Sequence, residues 1–447
     1  MKTKLTHFNT IVIGSGPAGT GLLYAAQKNG TLGPLLDAGV AFIDSTDGFG
    51  KGSIGNYIVS SDTSASVFLE CLGHLPDLHT YSPALQALVN RIRDHGAKPI
   101  PLRWVGQLLG LLGESWKRKL EEAPACALFL SHVAQCIKQN ADGSFTVFMR
   151  DLVSGKTASI TAPSLVMAMG GRQSMSDVLN VKVNAQIPLS GYRNKVMLTG
   201  ELLCPGGPER ALQIMERNSS QRVVVIGGSH SAFSSVTVML QELEKQHEVG
   251  KGDITMLHRH KLKLFYGSAR EAEEDGYTDF TLNDICPVTL RVNRLGGIRM
   301  QSKELLRKLM GISKEKEDRV RLELLEKFNG EQLAELLDTA GIIIPAFGYK
   351  PRLLPVFDEH EHPVPLLAQY AGNLVDGNCR VLHLFGEPVK GLFAAGLASG
   401  FVPHGKMGGE ASFRGQTNSL WGYQNCVGEM ILEQVLVTEE HYGRSAA

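Results

Sequence analysis

Short apolar runs that end at glycine occur twice in similar surroundings and predict buried parallel strands. Residues 10–13 are Thr-Ile-Val-Ile and lead directly into a glycine-rich turn. Residues 221–226 have the same apolar character and also end at glycine. Strands that are covered on both faces show consecutive apolar residues, whereas half-exposed strands alternate. The two runs therefore predict two parallel sheets, each with a glycine turn that leads into a helix.

The first turn has the spacing of a dinucleotide-binding fingerprint. Gly14 is predicted to make the tight turn, Gly16 to let the backbone approach a pyrophosphate, and Gly19 to let the helix at 20–27 pack closely. The amino end of that helix offers free N–H groups and partial positive charge to phosphates. The predicted cofactor-binding residues of this turn are Gly14, Gly16, Pro17, Ala18 and Gly19.

An acidic residue closes the next predicted strand. The apolar run 39–43 ends at Asp44, which we predict to bind the ribose hydroxyls of the dinucleotide. The distance from Gly19 to Asp44 is longer than the usual spacing of about 20 residues from the fingerprint. An insertion at 30–39 accounts for the difference.

The second turn departs from the ideal pattern but keeps small residues. Ser229 stands at the second glycine position and Ala232 at the third. The following strand, 253–257, runs into a basic cluster that contains Arg259, and arginine holds a 2′-phosphate with two parallel hydrogen bonds. NADPH is therefore favoured over NADH, and the alternative is a solvated strand end that binds nothing. The predicted residues of this turn are Gly227, Gly228, Ser229, His230, Ser231 and Ala232.

The remaining segments are arranged around these two turns. A helical pattern at 82–122 predicts a lid, and 131–161 predicts an antiparallel meander with a hairpin turn at Asp142-Gly143. The charged stretch 315–327 predicts a solvated helix face. We predict an α/β fold with two Rossmann-like dinucleotide-binding domains, three layers and a helical lid region. The predicted domains are a discontinuous FAD-binding domain, 1–203 and 340–447, and an inserted NADPH-binding domain, 204–339.

Composition narrows the class of protein. The chain has 447 residues, of which 43% are hydrophobic and 20% are charged, and its formal net charge is zero. The balance argues against nucleic acid or an anionic membrane as a partner. No apolar segment is long enough for a signal peptide or a membrane helix, which predicts a cytoplasmic location. The seven scattered cysteines form no C-x-x-C pair and are expected to be reduced thiols, so no metal site is predicted. A homo-oligomer stays open.

The order of these motifs resembles that of the two-dinucleotide-binding flavoproteins. Most similar are the class B flavin-dependent monooxygenases, in the branch that hydroxylates the nitrogen of amines such as ornithine and lysine. The NADPH turn of that branch commonly reads G-G-G-Q-S-A, which residues 227–232 approach, and its A-T-G-Y motif resembles 346–349. His404-Gly405 corresponds to an H-G pair before the helix at the carboxyl end, on the flavin side. The other matching segments are 168–170 and 391–396.

The resemblance implies FAD and NADPH as cofactors, with molecular oxygen and a small-molecule amine as substrates. NADPH would reduce FAD, and the reduced flavin would form a C4a-(hydro)peroxide that oxygenates a nucleophilic nitrogen. Few ionisable groups are needed, and no catalytic side chain is assigned. Substrate specificity is expected in 82–122 and 267–294. The residues expected near the flavin are Lys51, Ser60, Ser61, Asp62, Gly170, Gly396, His404, Gly405 and Asn418.

Two of these side chains have structural alternatives, and two further functions stay open. His404 is as consistent with a hydrogen-bonded structural histidine, and Asp62 with the cap of a helix that starts at Thr63. An NADPH-dependent flavin reductase or dehydrogenase would have the same two nucleotide sites but would release hydrogen peroxide. A non-catalytic FAD-binding module would bind the flavin without oxidising NADPH.

Overall fold

The computed structural model of the chain describes residues 5–75, 82–246, 249–370 and 372–442. Within these ranges, the strands form a six-stranded sheet, two four-stranded sheets and three two-stranded ribbons. The strands are β1 (Thr10–Ile13), β2 (Val40–Ile43), β3 (Ser60–Ser64), β4 (Pro99–Pro101), β5 (Ala127–Phe129), β6 (His132–Gln139), β7 (Phe145–Asp151), β8 (Thr157–Ala162), β9 (Ser164–Met167), β10 (Gly171–Arg172), β11 (Lys182–Val183), β12 (Ile187–Pro188), β13 (Val223–Ile226), β14 (Ile254–His258), β15 (Val320–Leu324), β16 (Ile342–Pro345), β17 (Lys350–Pro351), β18 (Val356–Phe357), β19 (Arg380–Leu382) and β20 (Pro388–Ala394).

Helices cover the sheets and connect their parallel strands, as apolar strands that are buried on both faces require. The α-helices are α1 (Pro17–Lys28), α2 (Leu32–Ala38), α3 (Ala65–Leu69), α4 (Pro83–Arg93), α5 (Leu102–Glu122), α6 (Met175–Leu179), α7 (Thr199–Leu202), α8 (Gly207–Arg217), α9 (His230–Glu244), α10 (Ala269–Glu274), α11 (Met300–Leu309), α12 (Gly330–Thr339), α13 (Leu420–Gln424) and α14 (Cys426–Tyr442). In the described part of the chain, none of them is long and apolar enough to cross a membrane.

The six-stranded sheet has the order β19-β20-β9-β1-β2-β5 and is parallel except at β19. All four residues of β1, β2 and β9 are buried. Ile11 of β1 lies opposite Ala41 of β2 on one side and Leu165 of β9 on the other. The carboxyl ends of these strands therefore lie at one edge of the sheet, next to the turn that follows β1.

The second parallel sheet has the order β15-β14-β13-β16. Its β16 pairs in register with β13, Val223 lying opposite Ile342. The apolar segment 341–349 was predicted to belong to the first domain, and this pairing places it in the second sheet instead. The helix α12 carries the chain from β15 back across the sheet, so β16 enters beside β13. The division into two domains stays a proposal, and its outer limits at residues 1 and 447 lie outside the described residues.

The charged stretch 315–327 was predicted to be a helix face, and this prediction is wrong. Residues 320–324 form β15, an edge strand that pairs with β14. Val320 is buried, whereas Arg321 is exposed, because an edge strand has one side open to water. The abundant charges therefore reflect an exposed sheet edge. By contrast, the predicted meander is confirmed: β6, β7 and β8 pair antiparallel, with Gly143 at φ +82° in the first hairpin turn.

The predicted lid consists of the helices α4 and α5, and glycines of α5 let a loop approach it closely. A Cβ atom on Gly106 would lie 2.4 Å from the Cα atom of Gly55, and one on Gly113 would lie 2.0 Å from the Phe49 carbonyl oxygen. The loop 48–56, which follows β2, is therefore pressed between α5 and the first glycine turn. Trp116 of α5 is 3% exposed and packs edge-on against Tyr24, as expected for a core residue.

Candidate active site

Backbone contacts at the first turn leave no room for side chains. Gly14 has φ +101°, and a Cβ atom there would lie 2.4 Å from the Ala168 carbonyl oxygen. A Cβ atom on Gly19 would lie 1.9 Å from the Gly14 carbonyl oxygen. Gly16 is the N-cap of α1, and no side chain caps this helix. The free N–H groups at the start of α1 thus point to an open edge of the sheet, where an anionic group is stabilised.

Two further glycines meet the first turn from neighbouring strands. Gly170 follows β9 with φ +71°, and Gly396 follows β20 with φ +117°. A Cβ atom on Gly396 would lie 3.3 Å from the Cβ atom of Ala18 and 3.8 Å from the Cα atom of Gly170. Three strand ends thus converge on a cradle of bare backbone. Its steric requirements match those of a site that admits a pyrophosphate and a flavin.

Asp44 lies at the end of β2, as predicted, and both of its carboxylate oxygens accept hydrogen bonds. The backbone N–H and the hydroxyl of Ser15 donate to Oδ2, over 2.7 and 2.9 Å. The backbone N–H and hydroxyl of Thr46 donate to Oδ1, both over 2.8 Å. Asp44 therefore fixes the first turn directly. Its role as the ribose ligand stays a prediction.

Lys51 lies in the loop 48–56, which covers the first turn. It lines a cavity of about 950 Å³ between that loop and the helices α4 and α5, together with Arg91 and Arg103. One carboxylate, Glu114, also lines this cavity, so the three cations leave it with a net positive charge. Such a lining suits the phosphates of a dinucleotide, and the assignment of Lys51 to FAD stays a prediction.

The second turn keeps glycine only where the backbone is crowded. Gly227 has φ +149°, and a Cβ atom there would lie 2.6 Å from the Ala346 carbonyl oxygen at the end of β16. A Cβ atom on Gly228 would lie 2.5 Å from the side chain of Leu262. Ser229 is exposed and is the N-cap of α9, and its hydroxyl makes no capping bond. Ala232 is fully buried, so it fills the packing position of the third glycine.

Arg259 is exposed just beyond the carboxyl end of β14, beside the second turn. Its guanidinium carbon lies 6.0 Å from the centroid of the Phe347 ring, which follows β16. This guanidinium lies at the same strand ends as the start of α9. The backbone N–H groups of that helix start and the exposed Ser229 are found there too. The arrangement matches a dinucleotide with a 2′-phosphate.

His230 lies in the predicted turn, but its ring points away from the nucleotide edge. Nε2 accepts a hydrogen bond of 3.0 Å from the backbone N–H of Arg299, and Nδ1 lies 3.9 Å from Asp62 Oδ2. Burial lowers the pKa of His230, the Asp62 carboxylate opposes this effect, and the Arg299 charge adds to it. Asp62 belongs to β3, and α3 begins only at Ala65, so the alternative of a helix cap is wrong.

The flavin-side residues near the carboxyl end of the chain lie on two loops. Asn418 accepts a hydrogen bond of 3.2 Å from the N–H of Ala398, two residues after Gly396, and so lies next to the first cradle. His404 is exposed and donates from Nε2 to the Gly377 carbonyl oxygen over 2.8 Å. Gly405 has φ +56° and begins a short 3-10 helix. The hydrogen bond of His404 supports its structural alternative, and its contact with a cofactor stays a prediction.

A cavity of about 480 Å³ is lined by residues from both parts of the molecule, including Leu397 beside the first cradle and His230 at the start of α9. Tyr349, which follows β16, and Leu397, which follows β20, both line it. The hydroxyls of Tyr349 and Tyr57 lie 3.0 Å apart, and burial together with this contact raises the pKa of Tyr349. Ser60, Ser61 and Asp62 also line the cavity, and their contact with a flavin stays a prediction. The opposite wall is formed by residues of α9 and by the residue that precedes α11: His230, Ser231, Ser234, Thr237 and Arg299.

Sequence reasoning missed Tyr57 and Arg299. Both lie far along the chain from the glycine turns and reach the cavity only through the tertiary fold. Tyr349 belongs to a motif that the sequence singled out, but nothing in the sequence predicts its contact with Tyr57. Within the described ranges, no group of His, Cys, Asp and Glu side chains is arranged to hold a metal ion.

Two parallel sheets, each with a nucleotide-binding turn at its carboxyl edge and a shared cavity between them, define a two-dinucleotide-binding flavoprotein. No protein-family model matches the chain. A characterised relative, CMP-5'-(3-aminopropyl)phosphonate hydroxylase from Streptomyces rubellomurinus, is 30% identical over 451 residues, covering 97% of this chain and 99% of the relative. The chain belongs to the family of this hydroxylase.

Solved structures show the same fold at low sequence identity. The cadaverine monooxygenase from Erwinia amylovora, bound to FAD, superimposes with a TM-score of 0.54 at 15% identity, over 98% of this chain and 95% of its own. An ornithine N-hydroxylase from Kutzneria sp. 744 superimposes with a TM-score of 0.53 at 13% identity, over 97% and 100%. The predicted α/β fold is thereby confirmed, and the relationship to a hydroxylase confirms the predicted class of enzyme, an oxidoreductase. The cadaverine monooxygenase binds FAD, and the ornithine N-hydroxylase binds reduced FAD and NADP⁺. We propose FAD and NADPH as the cofactors of this chain.

Proposed function

We propose that this enzyme hydroxylates the primary amine of a small molecule that carries a phosphonate group. The observation that carries the proposal is its similarity, along nearly the whole length of both chains, to a hydroxylase of an aminopropylphosphonate nucleotide. The cavity of about 480 Å³ between the two cradles has room for a small aminoalkyl group. The proposed substrate needs the primary amine and the phosphonate, and it need not carry the nucleotide.

The proposed reaction consumes one NADPH, one molecular oxygen and one proton for each amine. One oxygen atom enters the new N–O bond of the hydroxylamine, the other leaves as water, and NADPH is oxidised to NADP⁺. FAD, when bound, transfers the two electrons of NADPH to oxygen. Oxygen as the co-substrate is part of this proposal.

The protein's own residues would bind the two cofactors, orient their reactive rings and shield the reacting groups from water. The backbone cradle of Gly14, Gly170 and Gly396 would hold FAD, and the start of α9 with Arg259 would hold NADPH. Leu397 and Tyr349 border the cavity where both strand edges meet, so a nicotinamide and a flavin that are bound to their own sheets would approach each other there. The residues that line the cavity would have to limit the access of water to the reacting groups.

The oligomeric state and the location in the cell belong to the same proposal. We propose that the enzyme is cytoplasmic. Whether it forms a homo-oligomer is a question for experiment. Size-exclusion chromatography with light scattering measures the latter directly.

The test is product analysis with isotopically labelled oxygen gas. The purified enzyme is supplied with FAD, NADPH and 3-aminopropylphosphonate or its CMP ester. We expect a hydroxylamine that carries one labelled oxygen atom, seen by mass spectrometry. N-Acetylated substrate, which lacks the nucleophilic amine, is the control and should give none. Unlabelled product, or label on carbon, would contradict N-hydroxylation.

A further inference from the structure

We propose that Arg299 binds the anionic end of the amine substrate and that Asp62, across the same cavity, faces its ammonium end. This inference rests on the proposed function and assigns a substrate class to the cavity: a short molecule with a primary amine at one end and a phosphonate or a similar anion at the other. Arg299 precedes α11 of the second sheet region, and Asp62 belongs to β3 on the flavin side.

The Arg299 guanidinium is held in place without a carboxylate partner. Its central carbon lies 4.2 Å from the centroid of the Phe265 ring, and one terminal nitrogen donates to the Arg294 carbonyl oxygen. The backbone N–H of Arg299 donates to His230. Among the side chains that the structure describes, two carboxylates line the same cavity: Glu242 is paired with Lys245 over 2.6 Å, and the ion-pair contact of Asp62 is with His230, at 3.9 Å. A half-buried guanidinium that is fixed but unpaired is an anchor for a planar or tetrahedral anion.

The charges around Arg299 favour an anion in the cavity. Arg291 and Arg294 add positive charge nearby, and Asp62 and Glu410 are the neighbouring carboxylates. Glu410 is 4% exposed; the backbone N–H of Leu295 is shared between its two carboxylate oxygens, and the N–H of Gly296 donates to Oε1. Its charge is therefore satisfied within the protein. The positive charge that remains faces the cavity, where an anion would lower its electrostatic energy.

Asp62 supplies the opposite charge on the other wall. Its side chain is 57% exposed, its Oδ1 accepts a hydrogen bond of 3.3 Å from the Thr63 hydroxyl, and its Oδ2 lies 3.9 Å from His230. Oδ2 can therefore accept a hydrogen bond from a ligand. A substrate that spans from Arg299 to Asp62 would point its amine to the flavin-side wall formed by Ser60 and Ser61. This direction places the nitrogen at the side where oxygenation must occur.

The geometry favours the substrate over the phosphates of NADPH as the anion. Arg259 already stands at the carboxyl edge of the second sheet, beside the nucleotide turn. Arg299 instead lines a cavity that begins at His230 and Ser231 and continues along the flank of α9, past Ser234 and Thr237, one and two turns into the helix. A pyrophosphate at the start of α9 lies over the helix end and not along this flank.

The experiment compares Arg299→Gln and Arg299→Lys with Arg222→Gln, a matched loss of charge at an exposed arginine outside the cavity lining. We expect Arg299→Gln to raise the KM for 3-aminopropylphosphonate by about 10- to 100-fold, as for the loss of a charge-assisted hydrogen bond. The KM for NADPH and the rate with propylamine should stay as in the wild type. Arg299→Lys should recover part of the loss, because it keeps the charge. Arg222→Gln should change none of these values.

Binding measurements keep the inference separate from the reaction. Isothermal titration of the FAD-loaded enzyme with propylphosphonate, which has no amine, should show binding that Arg299→Gln abolishes and Asp62→Asn leaves intact. If the wild type binds propylphosphonate but forms no hydroxylamine, the proposed function fails and the anion site stands. A raised KM for NADPH in Arg299→Gln, with unchanged binding of propylphosphonate, would overturn the inference. Retained FAD content and thermal unfolding temperature show that each variant is folded.

Discussion

The two glycine turns each bring the backbone to the end of a parallel strand, where a nucleotide is predicted to bind, but they do so with different residues. In the first, Gly14 and Gly19 each face a backbone atom so closely that no Cβ atom fits. In the second, Gly227 meets such a contact, whereas Ser229 is exposed at the position that corresponds to Gly16. The first turn is covered by the loop 48–56, and Gly52 lies against Gly16 there. Glycine is thus required where protein backbone is close, and a small polar residue suffices where only the ligand approaches.

Gly19→Ala should break the first turn and have the largest effect. Its new Cβ atom would lie 1.9 Å from the Gly14 carbonyl oxygen, so α1 must move away from β1. We expect a loss of bound FAD and a fall in the free energy of unfolding of about 3 kcal/mol or more. Flavin absorbance and chemical denaturation measure both. Gly33→Ala is the control, since a Cβ atom there meets no atom within 4 Å; an equal loss in this variant would contradict the steric account.

Arg259→Ala tests the cofactor preference of the second turn. The guanidinium at the end of β14 is the predicted partner of the 2′-phosphate. The KM for NADPH should rise by about 10- to 100-fold, as for the loss of a charge-assisted hydrogen bond, while the KM for NADH stays constant. Steady-state kinetics with both nucleotides measures the change. Arg222→Ala, at an exposed position before β13, provides the control. An equal rise in the KM for NADPH and for NADH would mean that Arg259 does not bind the 2′-phosphate.

The second turn carries a titratable residue at the start of its helix, and the first does not. The pKa of folded His230 is lowered, first by burial, so the unfolded chain takes up this proton at a higher pH than the folded chain does. The contribution of His230 to the free energy of unfolding is complete above the ordinary histidine pKa of about 6.5 and falls as the pH decreases below it. Denaturation at pH values on both sides of this point should show the fall in the wild type. His230→Gln should flatten it, and an equally steep dependence in that variant would assign the effect elsewhere.

Ser229→Gly makes the second turn more similar to the first and should have the smallest effect. The Ser229 hydroxyl makes no capping bond, so the helix α9 loses little. A change of N-cap to glycine costs only a few tenths of a kcal/mol. The KM for NADPH should change by less than about 3-fold, a free energy within that range. A larger loss would show that the serine hydroxyl binds the nucleotide.

Much of this comparison could be predicted from the sequence, because consecutive apolar residues mark strands such as β1 and β13, and glycine spacing marks the turns that follow. The sheet to which β16 belongs could not, since apolar strands look alike whichever neighbour they join. The edge strand β15 was not predicted, because its exposed charged residues resemble those of a solvated helix face. The contacts between Asp62, His230 and Arg299 join residues from three distant segments, and only the tertiary fold brings them together.

The central claim is that the two cradles serve one oxygenation in the cavity between them. The most direct test is the ratio of hydroxylamine formed to NADPH consumed in air, with 3-aminopropylphosphonate or its CMP ester as the substrate. The account predicts a ratio close to one, with little hydrogen peroxide released while the amine is present. NADPH oxidation that yields hydrogen peroxide at the same rate with and without either amine, and no hydroxylamine, would contradict it.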